Sequence, residues 1–350
     1  MPNKRSLGEM LVSANRGRTV QIDADKVSRG NFFTTDTAWL NQPVREFLSF
    51  AFLNQTSAGQ AASVLDPFAG DGHLLDLIAG EYGIRVHGLD ISNDLWPKND
   101  SLKQVPNPEQ SVIVTNPPYL ANHSAKRKGV NSLVASYFKQ GYDNLWKLAL
   151  DRCLASADYV VAILPETFLL STFAKDRLAV ISVIEGELFD DTDAPALVAC
   201  FGPAGVEGAG NVFINERLIG TLSKIMSCRG KGGRRGKPAV FNVADGRIGL
   251  RAVDGADGKT PIAFMLAEDF DYPANRIKVS SRLMTYIELP TLADQDLPGF
   301  VVRANRLLNE IREQSHDLVL APFKGNMKTG RRRRRLDYEL AREIISRSLS

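Results

Sequence analysis

The run VLDPFAGDGHLL, residues 64–75, decides how the chain folds. Val64 and Leu65 end a short apolar run that reads as a buried strand, and an acid, Asp66, closes it. Two glycines, Gly70 and Gly72, then let the backbone turn sharply and come close to a ligand before a helix begins at HLLDLIAGEYG. A strand, a glycine turn and a helix in this order are the opening unit of an open α/β sheet, and such sheets bind ligands at this edge. The run is neither a dinucleotide fingerprint nor a P-loop, because no Lys-Ser/Thr follows the glycines. An acid-bounded glycine turn suits a cationic cofactor, one carrying an ammonium and a sulfonium. His73, just past the glycines, reads as a first-turn helix residue.

Working outward, RVHGLD (85–90) reads as a second strand, and its terminal Asp90 is placed to accept both hydroxyls of a ribose. SVIVT (111–115) is a third strand and DYVVAILP (158–165) another, with a helix around YDNLWKLALDRCLAS between them that puts Leu145, Leu148 and Ala149 on one face. A short helix is expected near FAKDRLAV. SVIEGELF and ALVACFG then read as a closing antiparallel pair, with the sheet complete by about residue 203. The fold class is α/β, a Rossmann-like, seven-stranded, mostly parallel sheet with a smaller C-terminal α+β domain.

At 350 residues and 44% hydrophobic, the chain can bury the cores of one large or two medium domains. No apolar run is long enough to span a membrane, and the N-terminus lacks the apolar segment of a secretory signal, so a cytoplasmic location is expected. Cys153, Cys200 and Cys228 are widely spaced and lack histidines at ligand spacing, which argues against a disulfide framework and against a metal site. Residues 216–350 hold 25 Lys and Arg against 16 Asp and Glu, whereas residues 1–215 hold 18 against 24. An acidic first part and a basic last third point to a polyanionic partner for the latter.

The third strand leads straight into TNPPY (115–119), a polar, proline-rigid, aromatic corner. DPFAGDG, GLD (88–90) and TNPPY, in this order, resemble the S-adenosylmethionine-dependent adenine-N6 DNA methyltransferases of the gamma arrangement, in which cofactor motifs precede the catalytic motif and a DNA-recognition domain follows. NFFTTDTAWLNQPVREFLSFAF (31–52) looks like the family's N-terminal cofactor segment, NDSLKQ around Asp100 sits where the family has an acid facing the cofactor's adenine, and GELFDDTDAPALVACF (186–201) resembles its late motif. The resemblance covers residues 30–203.

The resemblance implies S-adenosyl-L-methionine as cofactor and a role for each matching residue. Asp66 approaches the methionine ammonium. Pro67, Phe68, Ala69, Gly70 and Gly72 line the turn. Asp90 and Ile91 face the ribose and adenine, Asp100 and Ser101 the adenine, and Phe33 with Thr34 or Thr35 the methionine end. Asn116 and Pro117 offer two carbonyl oxygens to the target amine, Pro118 keeps the corner rigid and free of a competing N–H, and Tyr119 and Phe189 stack on the target base.

The implied organisation is an N-terminal arm (1–29), a catalytic domain (30–205) and a basic DNA-recognition domain (206–350). The chain is expected to be a monomeric prokaryotic or phage enzyme acting on double-stranded DNA, paired functionally with a restriction endonuclease. RGKGGRRGKP (229–238) and KGNMKTGRRRRR (324–335) are expected to contact phosphates, through Arg229, Lys231, Arg234, Arg235 and Lys237 and through Arg331, Arg332 and Arg333, with the five-Arg tract a loose electrostatic segment. Asn-Pro-Pro-Tyr serves other planar nitrogens too, so an RNA adenine or guanine methyltransferase and a protein-glutamine methyltransferase are the alternatives. A nucleic-acid-binding protein with a degenerate site is a third reading.

Overall fold

The computed structural model describes residues 11–15, 18–21, 37–57, 59, 61–127, 131–185, 195–205, 208–230 and 239–349. Two compact units divide the chain: residues 1–168 with 172–219, and residues 169–171 with 220–350. A short antiparallel pair, β1 (Leu11–Asn15) and β2 (Arg18–Gln21), comes first.

The first unit is built on α1 (Gln42–Ser57), β3 (Ser63–Asp66), α2 (His73–Tyr82), β4 (Arg85–Gly88), β5 (Val112–Thr115), α3 (Asn122–Arg127), α4 (Asn131–Phe138), α5 (Leu145–Ser156), β6 (Val160–Pro165), β7 (Leu178–Val183), β8 (Ala196–Phe201), β9 (Asn211–Ile214) and β10 (Arg217–Thr221). The sheet order is β10-β9-β7-β8-β6-β5-β3-β4. Pairs β3–β4, β3–β5, β5–β6 and β7–β9 are parallel, and β8 runs antiparallel to both neighbours.

This is the mostly parallel α/β sheet expected from the sequence, with eight strands. Asn215 and Glu216, both at positive φ (47° and 65°), make the tight turn that folds NVFINERLIGT back as the β9–β10 hairpin and extends the sheet past residue 203.

Strands β3, β5 and β8 are buried at every residue, as continuous apolar runs covered on both faces must be. Trp39, Val44, Phe47, Leu48 and Leu75 pack from the α1 and α2 side onto Val64, Val112, Val114, Val161 and Ile163. Leu145, Leu148 and Ala149 of α5, the face read from the sequence, form a second cluster with Leu102 and Leu120. Asn144 caps α5 by accepting from the Trp146 amide.

The short helix expected at FAKDRLAV is a turn, and β7 starts at Leu178. Arg177 explains the difference. It is 8% exposed and spends its guanidinium on the carbonyls of Leu154, Ala157, Asp158 and Gly202, pinning the chain where β7 begins to pair with β8.

The second unit holds α6 (Leu222–Ser227), β11 (Val240–Phe241), β12 (Ile248–Arg251), β13 (Ala263–Leu266), β14 (Met284–Glu288), α7 (Leu297–Gln314), β15 (Ala321–Asn326), β16 (Arg332–Arg335) and α8 (Tyr338–Ser348). Strands β11-β14-β12-β13 form one antiparallel sheet and β15-β16 a hairpin, giving an α+β module.

The five-Arg tract is therefore not loose: four of its residues are β16. Arg334 donates its amide to the Asp254 carboxylate, and Arg333 donates through Nε to the Asp254 carbonyl. Asp254 in turn meets Arg312 at 3.0 Å, so a buried ion pair anchors the tract.

Candidate active site

The site sits at the C-terminal ends of β3, β4 and β5. Asp66, 2% exposed, ends β3, and its Oδ1 accepts from the Phe68 amide (2.9 Å) and the Thr115 hydroxyl (2.6 Å). Burial pushes its carboxyl up from the ordinary 3.8 to about 7, the two hydrogen bonds opposing this and the Asp90 charge adding to it. A buried carboxyl held this way gains by meeting a cation. Thr115 immediately precedes Asn116, so a single residue joins the glycine turn to the Asn-Pro-Pro-Tyr corner.

The turn itself needs its glycines. Gly72 has φ 87°, and a Cβ there would lie 2.9 Å from the Trp96 ring. Trp96 also packs against Gly88 and donates its indole N–H to the Gly70 carbonyl at 2.9 Å. Pro67 and Ala69 are buried, while Phe68 packs against the α5 cluster.

Asp90, 9% exposed, accepts from the Gly70 amide through Oδ2 (3.0 Å) and from the Ser92 and Asn93 amides through Oδ1 (2.7 Å each). Its carboxylate thus fixes the turn from across the strand ends. Ile91 beside it is 61% exposed, an apolar surface next to a polar cleft edge. Asp100 accepts from the Tyr137 hydroxyl at 2.9 Å and pairs with Lys103, while Ser101 is buried and accepts from the Asn99 side chain. Burial, then the Asp100 hydrogen bond, pushes the Tyr137 phenol up to about 12.

At the corner, the Tyr119 hydroxyl lies 2.6 Å from the Asn116 Oδ1 and 2.6 Å from the Ile163 carbonyl oxygen of β6. Burial holds the phenol well above its usual pKa, so it is a donor at every physiological pH. Pro117 is buried and Pro118 half-buried. Phe33, Thr34, Thr35 and Phe189 lie outside the described residues.

Of the residues read from the sequence, the structure gathers Asp66, Pro67, Phe68, Ala69, Gly70, Gly72 and Asp90 around one turn, and ties Asn116 to Tyr119 beside it. Sequence reasoning missed four partners. Thr115 stood inside the quoted motif, and its hydroxyl was the signal. Trp96 and Tyr137 reach the site through long-range packing that no spacing announces, while Asn93 closes a local turn on Asp90 and reaches Gly70 with its side chain.

Among the basic residues, Arg229 donates to the Val319 carbonyl and to Asp337, and Arg332 is 7% exposed, so both are held inside the second unit's own fold. Arg331 is 70% exposed at the side chain with Asp317 at 3.3 Å, and Arg333 lies over the Phe323 ring. Lys231, Arg234, Arg235 and Lys237 lie outside the described residues. Among the described residues no group of three metal-ligating side chains occurs, and no helix is long and apolar enough to cross a membrane.

No family model matches the chain, and no curated protein matches it. Solved structures similar to it include a modification subunit of a putative type I restriction enzyme from Vibrio vulnificus YJ016, at 14% identity over 53% of this chain and 46% of that one, with a TM-score of 0.35. The methyltransferase subunit of a type I restriction-modification system from Streptococcus thermophilus matches at 16% identity over 56% of this chain and 53% of that one, TM-score 0.34. TrmN from Thermus thermophilus matches at 18% identity over 47% and 51%, TM-score 0.27. The chain spans about half the length of these solved structures.

Proposed function

We propose that the chain is an S-adenosylmethionine-dependent DNA methyltransferase that modifies the exocyclic N6 of a flipped-out adenine, in a restriction-modification or phage setting. One observation carries this reading: the Thr115 hydroxyl bonds the buried Asp66 at 2.6 Å, coupling a cation-seeking carboxyl directly to the Asn116–Tyr119 corner.

The residues fit the cofactor's chemistry. Asp66 offers the methionine ammonium a buried carboxyl, Gly70 and Gly72 offer close backbone approach, Asp90, whose oxygens already accept from the Gly70, Ser92 and Asn93 amides, is assigned the ribose, and exposed Ile91 the adenine. Asp100 fits less simply, since Tyr137 and Lys103 already bond it. Phe33 with Thr34 or Thr35 is assigned the methionine end. When bound, S-adenosylmethionine supplies an electrophilic methyl group on a sulfonium.

The chain's own work is on the nucleophile. The adenine amine is weakly nucleophilic because its lone pair is delocalised into the ring. Asn116 Oδ1 and the Pro117 carbonyl each accept one N–H, which draws the nitrogen toward tetrahedral geometry and stabilises the charge developing on it. The Tyr119 hydroxyl orients the Asn116 carboxamide, and its ring forms one wall for the base, with Phe189 assigned to the other. Extrusion of the base costs a few kcal/mol. Stacking offsets roughly 1 to 3 kcal/mol of it per aromatic contact.

DNA phosphates are assigned to Arg331 and Arg333, together with Lys231, Arg234, Arg235 and Lys237. The test is incubation of the protein with methyl-tritiated S-adenosylmethionine and unmethylated DNA or RNA, followed by digestion and chromatography. Label in N6-methyladenine of DNA is the expected result. Label in RNA, in cytosine or in protein would replace this reading with one of its rivals.

A further inference from the structure

The second unit carries a cavity of about 530 Å³ lined by Phe241, Asn242, Val279, Arg282, Tyr338 and Arg342. Its walls bring two aromatic rings and two guanidiniums together. Phe241 and Tyr338 lie 4.5 Å apart between centroids at 34°. The Arg342 guanidinium lies 4.6 Å from the Phe241 centroid, and that of Arg282 lies 5.4 Å from the Tyr338 centroid.

Neither of these two arginines is neutralised by a carboxylate among the described residues. Arg229, Arg247, Arg312 and Arg331 of the same unit each meet a carboxylate. Among the described residues Arg282 and Arg342 meet none: Arg282 donates through Nη1 to the Val279 and Ser281 carbonyls, and Arg342 through Nη1 to the Tyr338 carbonyl. Each guanidinium carries five N–H donors, so most of this capacity is unbonded among the described residues.

The Tyr338 phenol sits among the same cations, which act against its burial. Burial pushes its pKa up, with the Thr285 hydrogen bond opposing this, and the charges acting on it are Arg282, Arg335 and Arg342, all cationic. Asn242, at φ 64°, fixes the floor by bonding Val279, Thr285 and Tyr338. In sequence, Ala239 at the cavity's edge follows directly on the basic run 229–238.

An aromatic pair with a guanidinium near each ring, open to a cavity of ligand size, has the chemistry that takes phosphates and their sugar. We propose that this cavity is a DNA-backbone contact of the second unit, with successive phosphates at Arg282 and Arg342 and the intervening sugar against Phe241 and Tyr338. This rests on the reading of the chain as a DNA methyltransferase and names where DNA is gripped away from the chemistry.

The experiment measures binding of a fluorescein-labelled DNA duplex to the full chain by anisotropy across a salt series, with S-adenosylmethionine binding measured in parallel. The variants are R282Q/R342Q, R282K/R342K and, as a control, R306Q, whose residue pairs with Glu310 on α7. R282Q/R342Q should weaken binding and lower the slope of log K against log salt by roughly 1 to 2. R282K/R342K should keep most of that slope, and R306Q should bind as the wild type does.

Cofactor binding and thermal unfolding of the full chain should be the same in all four proteins, which marks both units of each as folded. Wild-type affinity and slope in R282Q/R342Q would overturn the proposal and leave the methyltransferase reading intact, as would weakened binding with an unchanged slope. A wild-type protein that binds RNA and not the duplex would overturn both.

Discussion

The Tyr119 hydroxyl stands 2.6 Å from the Asn116 carboxamide oxygen, and the same hydroxyl stands 2.6 Å from the Ile163 carbonyl. The corner after β5 is thereby closed on itself and fastened to the next strand. Asn116 does not rely on the rigid prolines alone for its direction, because the Tyr119 O–H, its one proton shared with the Ile163 carbonyl, stands within hydrogen-bond reach of its acceptor oxygen.

Tyr119→Phe keeps the ring and removes the tether, whereas Tyr119→Ala removes both. The first should lower the single-turnover rate by about tenfold, the scale of one hydrogen bond to a positioned group. The second should lower it further, with the extra loss smaller on a mismatched target base, where extrusion is easier. Equal rates for Tyr119→Phe and the wild type would separate the tether from catalysis.

Asp66 makes cofactor binding depend on pH. Its carboxyl is raised to about 7 by burial, and a cationic ligand favours the ionised form. The Kd for S-adenosylmethionine should therefore tighten by about tenfold per pH unit below 7 and flatten above it, with a proton released on binding. Calorimetry in buffers of differing ionisation enthalpy reads that proton.

The same shift acts on stability with a definite sign. The folded chain keeps this proton to about pH 7, while the unfolded chain loses it near 3.8, so this contribution is fully present below 3.8 and lost as pH rises toward 7. Asp66→Asn should remove that decline in denaturant titrations. A decline of the same size in the variant would place its origin elsewhere.

Arg331 is the exposed end of the arginine strand. Arg331→Gln should reduce the salt slope of DNA binding by roughly 1 without changing the preferred sequence. Neutralising the whole tract is a poorer probe, because Arg332 and Arg334 are 7% and 4% exposed and belong to the hairpin's packing. A changed sequence preference in Arg331→Gln would make this side chain a base reader.

Much of the first unit was legible because its signals are local. Val64 to Gly72 reads as strand, turn and helix start from residue types alone, and the fully buried β3, β5 and β8 are continuous apolar runs. The β9–β10 hairpin was missed because its turn, Asn215-Glu216, is a weak turn signal without glycine. The arginine strand was missed because charge runs usually face solvent, whereas here Asp254 and the Ala321–Asn326 strand supply partners 6 to 80 residues away that no local pattern reveals. In the site, the carboxylates were found by position. Their partners Thr115 and Tyr137, and the Trp96 contact to Gly70, depend on tertiary contacts, and so did the Tyr119 tether, since the sequence suggests only a stacking wall.

The central claim is that the corner at 116–119 activates a planar nitrogen and does not hold the cofactor. Asn116→Ala tests it most directly, with cofactor affinity and methyl transfer to DNA measured on the same preparation. The account predicts a Kd for S-adenosylmethionine within about twofold of the wild type and a transfer rate lower by about 100-fold or more, the scale of a lost transition-state contact. Transfer within a few fold of the wild type would contradict it.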